Sequence, residues 1–149
     1  MKKMLKSKKG FSLIELLIVV AILAILAAIS INLFGGVLNK QKDKSDQGAA
    51  SYLQTAIQTY IAETDDSDLS GIGGESAGFD AIVTALADTI DYDADGDGTA
   101  ETYGPYLNAD KAKLSAKGAF LNVKVDSANQ VVTVTVDKTI VSNAIDVTP

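Results

Sequence analysis

The first part of the chain contains a long apolar run unlike anything after it. Residues 16–31 carry no charge, and Glu15 is the only charged residue between Gly10 and Lys40. A helix with this composition is apolar on every side, as in lipid or at the centre of a bundle. Five lysines precede Gly10, and a basic head before an apolar run is typical of membrane targeting with the head in the cytoplasm. The pattern predicts that everything beyond the run is exported.

Beyond a polar stretch at residues 40–47, apolar residues occupy a single helical stripe. The stripe consists of Ala49, Leu53, Ala56, Ile57, Tyr60 and Ile61. This spacing indicates a helix that packs against a folded domain. We therefore predict one long helix from Phe11 to about Glu63, roughly 80 Å at 1.5 Å per residue. Glycines at positions 35, 36 and 48 are its weak points, because glycine is unfavourable inside a helix.

The patterns after residue 63 predict a loop, a short helix and strands. Residues 64–78 are acidic and glycine-rich, which favours a surface loop. Helical spacing recurs at Phe79, Ile82, Val83, Leu86 and Ile90, so a short amphipathic helix is expected there. Residues 108–118 are polar and suggest a helical turn.

The C-terminal part alternates apolar and polar residues, as strands do. Residues 121–125 and 132–136 have this pattern and are joined by a polar turn, which predicts an antiparallel hairpin. Residues 140–147 add a candidate edge strand. Residues 64–149 are too few for a deep core of their own, so the helix stripe must contribute to it. The predicted fold class is α+β: a long N-terminal α-helix, apolar in its first half and amphipathic in its distal half, packed on a small antiparallel β-sheet.

The carboxylate of Glu15 helps to classify the N-terminus. A conventional secretory signal would be removed behind small residues such as Ala27 and Ala28. A carboxylate near an apolar run costs about 2.5–3.5 kcal/mol at a helix centre, and a discarded signal has no use for one. Glu15 therefore favours a segment that is kept in the mature protein.

The residues from Lys8 onward, KKGFSLIELLIVVAILAILAAI, closely resemble the class III leader of type IV pilins and pseudopilins. The resemblance implies a fold of the type IV pilin kind and cleavage between Gly10 and Phe11. It also implies N-methylation of Phe11 and a role for Glu15 in assembly. Three regions follow: a leader at 1–10, a transmembrane and filament-core helix at 11–38, and an exported head domain at 39–149.

Cleavage would create a cationic amine on Phe11, and a carboxylate held in an apolar bundle needs such a partner. A neighbouring subunit can provide it. Two residues differ from the pattern of many family members: Ala24 replaces a glycine, and Asn32 replaces a helix-interrupting proline. Both bear on where the helix would soften in a filament.

The composition excludes several classes of function. Without the five leader lysines, eight lysines face 19 acidic residues, a net side-chain charge of −11. An acidic surface repels phosphate backbones, so we expect no direct nucleic-acid binding. The chain has no cysteine for a disulfide, and no histidine for acid–base catalysis or zinc binding. We expect no enzymatic activity.

One acidic stretch is a candidate metal site. Its five carboxylates can converge on a hard cation such as Ca²⁺, because Gly96 and Gly98 permit a sharp turn between them. They belong to Asp91, Asp93, Asp95, Asp97 and Glu101. The glutamate at the twelfth position of an EF-hand is missing in either register, so the site should be weak. A solvated acidic turn is the alternative.

The next five residues, Tyr103–Leu107, contain a Gly-Pro-Tyr-Leu sequence. This element resembles one in major pseudopilins of type II secretion. The other interpretation is a proline turn whose aromatic rings pack on the core.

The family resemblance implies a structural subunit of a type IV pilus, acting in adhesion, surface motility or biofilm. It would be processed by the prepilin peptidase and N-methyltransferase, and would stay in the cytoplasmic membrane until membrane-bound machinery assembles it into a surface homopolymer. The first alternative is a major pseudopilin of a type II secretion or competence system. The second is a membrane-anchored calcium-binding protein.

Overall fold

A computed structural model describes residues 11–149, apart from the side chains of Asn32 and Glu75. Helix α1 spans Leu13–Thr64, which confirms the predicted long helix to within two residues at its start. It continues through Gly35 and Gly36. Backbone contacts divide the chain after Asn39. The predicted leader, residues 1–10, lies outside the described residues. It includes Gly10 of the predicted cleavage site.

The distal part of α1, residues 45–64, contributes one face to the core of the second unit, Lys40–Pro149. Leu53, Ile57 and Tyr60 are completely buried. They pack in one cluster with residues from α3 and from the strands. The predicted stripe is confirmed by the burial of all six of its members: Ala49, Leu53, Ala56, Ile57, Tyr60 and Ile61.

The segment predicted as a surface loop, residues 64–78, is more ordered and more buried than expected. It contains a 3₁₀ turn at Ser70–Ile72 and a short helix α2 at Gly74–Ala77. Leu69 and Ile72 join the core. The loop prediction is wrong for these two residues, because they are isolated apolar residues among the glycines and carboxylates that dominate the local pattern.

Helix α3 spans Phe79–Leu86 and buries Ile82 and Leu86, as the spacing predicts. Ile90 was expected to extend this apolar face, and that prediction is wrong, since Ile90 begins a strand. The helix ends because the amides of Tyr106 and Leu107 donate to the carbonyl of Leu86, at 2.8 and 3.1 Å. These bonds replace the next turn of the helix.

The strands form two small sheets. Strands β1 (Ile90–Tyr92) and β2 (Glu101–Tyr103) pair antiparallel. A 3₁₀ turn at Ala109–Ala112 precedes the second sheet. That sheet has the order β4-β3-β5, and its strands are Phe120–Asp126 (β3), Val131–Asp137 (β4) and Ala144–Thr148 (β5).

The predicted hairpin is confirmed by the antiparallel register of β3 and β4, in which Val123 lies opposite Val134. Alternate valines of both strands face the core. The candidate edge strand forms as β5, but it pairs parallel to β3. The short connection after β4 reverses the chain and passes the N-terminal end of β3, so β5 runs in the same direction as β3. The alternation of apolar and polar residues predicts the strands but not their order in the sheet.

Candidate functional site

The start of α1 places Glu15 in a capping arrangement. The amide of Ser12 donates to the Glu15 carboxylate at 3.0 Å, and the amide of Leu16 donates to the Ser12 carbonyl at 3.2 Å. A serine followed three residues later by glutamate is the capping-box pattern, which satisfies amides that the first turn leaves unpaired. Glu15 is therefore held at the helix start, four residues after Phe11.

The apolar segment, defined here as residues 13–38, is exposed at every described position except Ser30, which is half-buried. Within the described residues, one helix is long and apolar enough to span a membrane, by length and composition alone, and none of its most apolar 18-residue window is buried. Phe11 is 84% exposed. The chain itself therefore supplies no cover for these side chains, and another apolar phase must cover them.

The acidic stretch forms a tight loop between two paired strands. Tyr92 of β1 lies opposite Glu101 of β2, so residues 93–100 close the loop. Gly96 and Gly98 have φ angles of 73° and 91°, a left-handed conformation that favours glycine. The predicted sharp turn thus occurs at the two glycines.

Asp93 organises this loop. One of its carboxylate oxygens accepts from the amides of Gly96 at 2.7 Å and Asp97 at 3.1 Å. Its other oxygen accepts from the amide of Gly98 at 2.8 Å. These bonds hold the backbone of the turn around one carboxylate.

Three of the five predicted ligands come together. Oxygens of Asp93, Asp95 and Glu101 all lie within 4.8 Å of one another. Calcium binds oxygens at about 2.3–2.6 Å, so two ligands on opposite sides of the ion are up to about 5 Å apart. The spacing and the hard oxygen donors fit Ca²⁺.

The other two predicted ligands lie outside that group. Asp91 accepts from the Thr102 hydroxyl at 2.8 Å, across the two-stranded sheet. Asp97 accepts from the amide of Thr99 at 2.7 Å. Both carboxylates therefore help to fix the loop ends and its backbone.

Comparison with known proteins identifies the N-terminal segment. Residues 5–31 match the family model of the prokaryotic N-terminal methylation motif. The chain carries this methylation motif. The match confirms the resemblance to the N-terminus of type IV pilins and pseudopilins. No solved structure matches the chain.

The methylation motif implies processing by a prepilin peptidase and assembly into filaments. It covers the predicted cleavage site, Phe11, Glu15 and most of the apolar segment. The head domain lies outside it, so the motif does not distinguish a pilus from a pseudopilus. The apolar helix that begins within the motif is suited to anchoring the chain in a membrane.

The Tyr103–Leu107 element packs on the core. The Tyr106 ring meets the Tyr60 ring edge to face, with centroids 5.8 Å apart. Its hydroxyl donates to Glu63 of α1 at 2.7 Å, and partial burial together with this carboxylate raises the pKa of Tyr106. The element thus joins the acidic loop to the end of α1.

The sequence analysis missed two buried carboxylates, one before and one after the residues of the stripe in the sequence. Asp66 is 3% exposed and accepts from the Tyr60 hydroxyl, from the Ser70 amide and hydroxyl, and from the Gly71 amide at 2.8 Å. Burial and the bond to Asp66 raise the pKa of Tyr60. A side chain at Gly71 would collide with the ring of Tyr92 and the hydroxyl of Tyr60.

Asp46 is the second missed carboxylate, at 1% exposure. It accepts from the amides of Ser115 and Ala116 at 2.6 and 3.0 Å, which ties the segment before β3 to α1. A signal was present, because Asp46 precedes Ala49 and Ala50 by three and four residues and so lies on the buried stripe.

Proposed function

We propose that this chain is a structural subunit that is cleaved at Gly10–Phe11 and polymerises into a type IV pilus filament. The exposure of the apolar segment carries the proposal, since none of its most apolar window is buried by the chain itself. Copies that bundle through this segment cover one another in a filament core. Before assembly, the cytoplasmic membrane covers it, because about 20 apolar helical residues span a bilayer.

The position of Glu15 supports assembly through a specific pair. In a dry bundle, its carboxylate needs a partner that compensates the charge. The methylated amine of Phe11 on a neighbouring copy supplies that partner. The prepilin peptidase and N-methyltransferase produce this amine, and the membrane-bound assembly machinery brings the copies together.

The filament would act at the cell surface, in adhesion, surface motility or biofilm formation. DNA uptake would require another, minor subunit at the tip, because the surface of this chain is acidic. The role is structural and involves no catalysis.

A major pseudopilin of a type II secretion or competence system is the second candidate. The specific observation in its favour is the Tyr103–Leu107 element, which packs beside the acidic loop and on Tyr60. A pseudopilin would form a short fibre that serves secretion or DNA uptake.

The two candidates are separated by deleting the gene and restoring it. A pilus subunit predicts long surface fibres in the wild type, their loss on deletion and their return with the full chain. Antibody labelling along those fibres in electron micrographs identifies the subunit. Cells that never show fibres, yet lose secretion of a protein on deletion, contradict the pilus and support the pseudopilin.

We further propose that the acidic loop binds one Ca²⁺ ion. The cluster of Asp93, Asp95 and Glu101 oxygens supports this site. With few ligands, its Kd should be about 10⁻⁴–10⁻³ M, as in extracellular modules. Saturating calcium would then stabilise the head by about 1–3 kcal/mol.

The calcium proposal is tested on the full chain in detergent. We expect a higher melting temperature with calcium than with chelator, and no such difference in Asp95→Asn. Asp146→Asn, an exposed position on β5, is the control and should respond like the wild type. An unchanged wild-type melting temperature means that the loop is a solvated turn. An uncut Gly10–Phe11 bond together with calcium binding would instead favour the membrane-anchored calcium-binding protein.

A further inference from the structure

Charges are segregated along the helical part of the exported unit. The basic end, as we call it, consists of Lys40, Lys42 and Lys44. The acidic end consists of Glu63, Asp65 and Asp68. Between Asp46 and Glu63 the helix has no charged residue. From Lys40 to Thr64 the helix rises about 36 Å at 1.5 Å per residue, so the two ends are well separated.

The lysines of the basic end are exposed and lack an acidic partner in the described part of their own chain. All three are solvent-exposed. The ion pairs among residues 11–149 are Lys113 with Asp110 at 2.6 Å and Lys138 with Asp43 at 3.2 Å. Neither involves the basic end. Asp43, the carboxylate nearest to these lysines in the sequence, is already paired with Lys138.

The acidic end is reinforced by the neighbouring loop. Tyr106, which follows the acidic loop, donates to Glu63, and Tyr92, which precedes it, lies against Gly71. Residues 63–110 contain 13 acidic residues and no basic one. The part of the chain that begins at the end of α1 therefore carries a large negative charge.

We propose that in the filament the basic end of one copy binds the acidic end of a second copy. This inference rests on the proposed polymerisation of the chain and names the contact between head domains. The two ends are different surfaces, so each copy can engage one neighbour at each end. A contact of this kind propagates into an open helical filament.

The contact also fixes how contacting copies are staggered. Lys42, the middle of the basic end, lies about 32 Å from Glu63 along the helix, so neighbours joined in this way are displaced by about that distance. Exposed ion pairs add little affinity. Complementary charges mainly accelerate association and exclude wrong registers, so their loss should reduce the number of fibres formed.

The absence of cysteine from the chain allows a direct test by crosslinking. Lys44→Cys and Glu63→Cys are combined in one full-length chain. The two positions are about 28 Å apart on one helix, far beyond the roughly 7 Å limit for a disulfide, so any crosslink joins two copies. Oxidised fibres should give a ladder of dimers, trimers and larger multimers.

The matched crosslinking control moves the first cysteine away from the basic end. Lys124→Cys, an exposed lysine of β3, is combined with Glu63→Cys and should give no multimers beyond dimers. Equal ladders from the two double variants, or no ladder from Lys44→Cys with Glu63→Cys, would overturn the proposed contact.

Charge reversal provides a second test. Lys40→Glu with Lys44→Glu should give about tenfold fewer fibres, because it places like charges against the acidic end of a neighbour. Lys111→Glu with Lys124→Glu changes the net charge equally, at exposed positions beside Tyr52 and on β3, and should leave fibre numbers near the wild type. Circular dichroism of each purified chain checks that the fold is kept.

Restoration identifies the partner. Adding Glu63→Lys and Asp65→Lys to the Lys40→Glu, Lys44→Glu chain recreates complementary ends with exchanged signs. Fibre numbers should return to within about twofold of the wild type. If a correctly folded chain of this kind stays without fibres, a second copy is not the partner, and anionic lipid headgroups become the better explanation.

These outcomes are distinguishable from failure of the proposed function. Wild-type cells without any fibre or pseudopilus contradict both ideas. If wild-type cells form fibres and the Lys40→Glu, Lys44→Glu chain forms as many, only the contact between the two ends is contradicted.

Discussion

The two parts of α1 use similar apolar residues for opposite purposes. In the apolar segment, Leu17 is 58% exposed, whereas Leu53 in the distal part is completely buried. Both lie in one continuous helix. The difference arises from the pattern: residues around Leu17 are apolar on all sides, whereas those around Leu53 form one stripe.

A stripe can be covered by a single small domain, and an all-round apolar surface cannot. The distal part therefore completes a core within one chain, where the sheet and α3 cover it. The apolar segment needs lipid or other copies. One half of the helix thus stabilises the fold, and the other half is available for polymerisation.

The largest expected effect comes from the one carboxylate in the apolar segment. Glu15→Val should leave cleavage intact and abolish most fibres, because the amine of Phe11 on a neighbour would remain unpaired in the bundle, at a cost of about 3–5 kcal/mol. Fibres are counted by electron microscopy, and cleavage is read from the mass of the membrane-bound subunit.

Ser12→Ala is the control for Glu15→Val, since it keeps the carboxylate and the backbone amide that Glu15 accepts from. It should assemble normally. Fibre numbers at the wild-type level in Glu15→Val cells would refute the charge pair.

A pair of identical truncations then compares the two parts of the helix. Leu53→Ala should lower the free energy of unfolding of the head by about 2–5 kcal/mol, because it leaves a cavity in a packed core. Leu17→Ala should leave that stability unchanged, since its side chain is exposed. Both are measured on the full chain in detergent. Equal destabilisation would mean that the apolar segment also stabilises the fold.

Alkaline pH probes the distal part with a smaller effect. Burial and the Asp66 carboxylate raise the pKa of Tyr60 above its usual value of 10.0. Above pH 10, the unfolded chain loses this proton while the folded chain keeps it. Stability is therefore fully present below pH 10 and declines as the pH rises, by up to about 1.4 kcal/mol per pH unit. Tyr60→Phe should flatten this decline, and an unchanged slope would contradict it.

The smallest effect concerns helix continuity within a filament. Ala24 lacks the flexibility of the glycine, and Asn32 lacks the restriction of the proline, that many family members have at these positions. Any break in the helix should therefore fall between Asn32 and Gly36. Each glycine there makes the helix less stable by about 0.8–1.0 kcal/mol than alanine would. A filament density map decides this. A melted segment centred on residues 21–24 would be inconsistent with the prediction.

Most of the fold could be predicted because its elements have strong periodicity. The hairpin follows from alternating valines, and α3 follows from Ile82 and Leu86. The pairing of β1 with β2 was not predicted, because each strand has only three residues, most of them polar. The parallel pairing of β5 depends on how the chain passes β3, which local patterns do not encode.

The candidate sites were predictable to different degrees. Glu15 stands out because it is one charge among apolar residues. The burial of Asp46 and Asp66 was missed, since a carboxylate is usually exposed and their donors come from distant or irregular backbone. Which carboxylates of the acidic loop converge depends on the turn at Gly96 and Gly98, so spacing alone did not separate Asp91 and Asp97 from the cluster.

The most direct test of the account is the N-terminal sequence and mass of this chain in fibres sheared from the cell surface. We predict that the subunit begins at Phe11 and carries one N-methyl group, with the whole apolar segment retained. A subunit that begins at Met1, or one cut behind Ala27 or Ala28, would contradict assembly through the apolar segment.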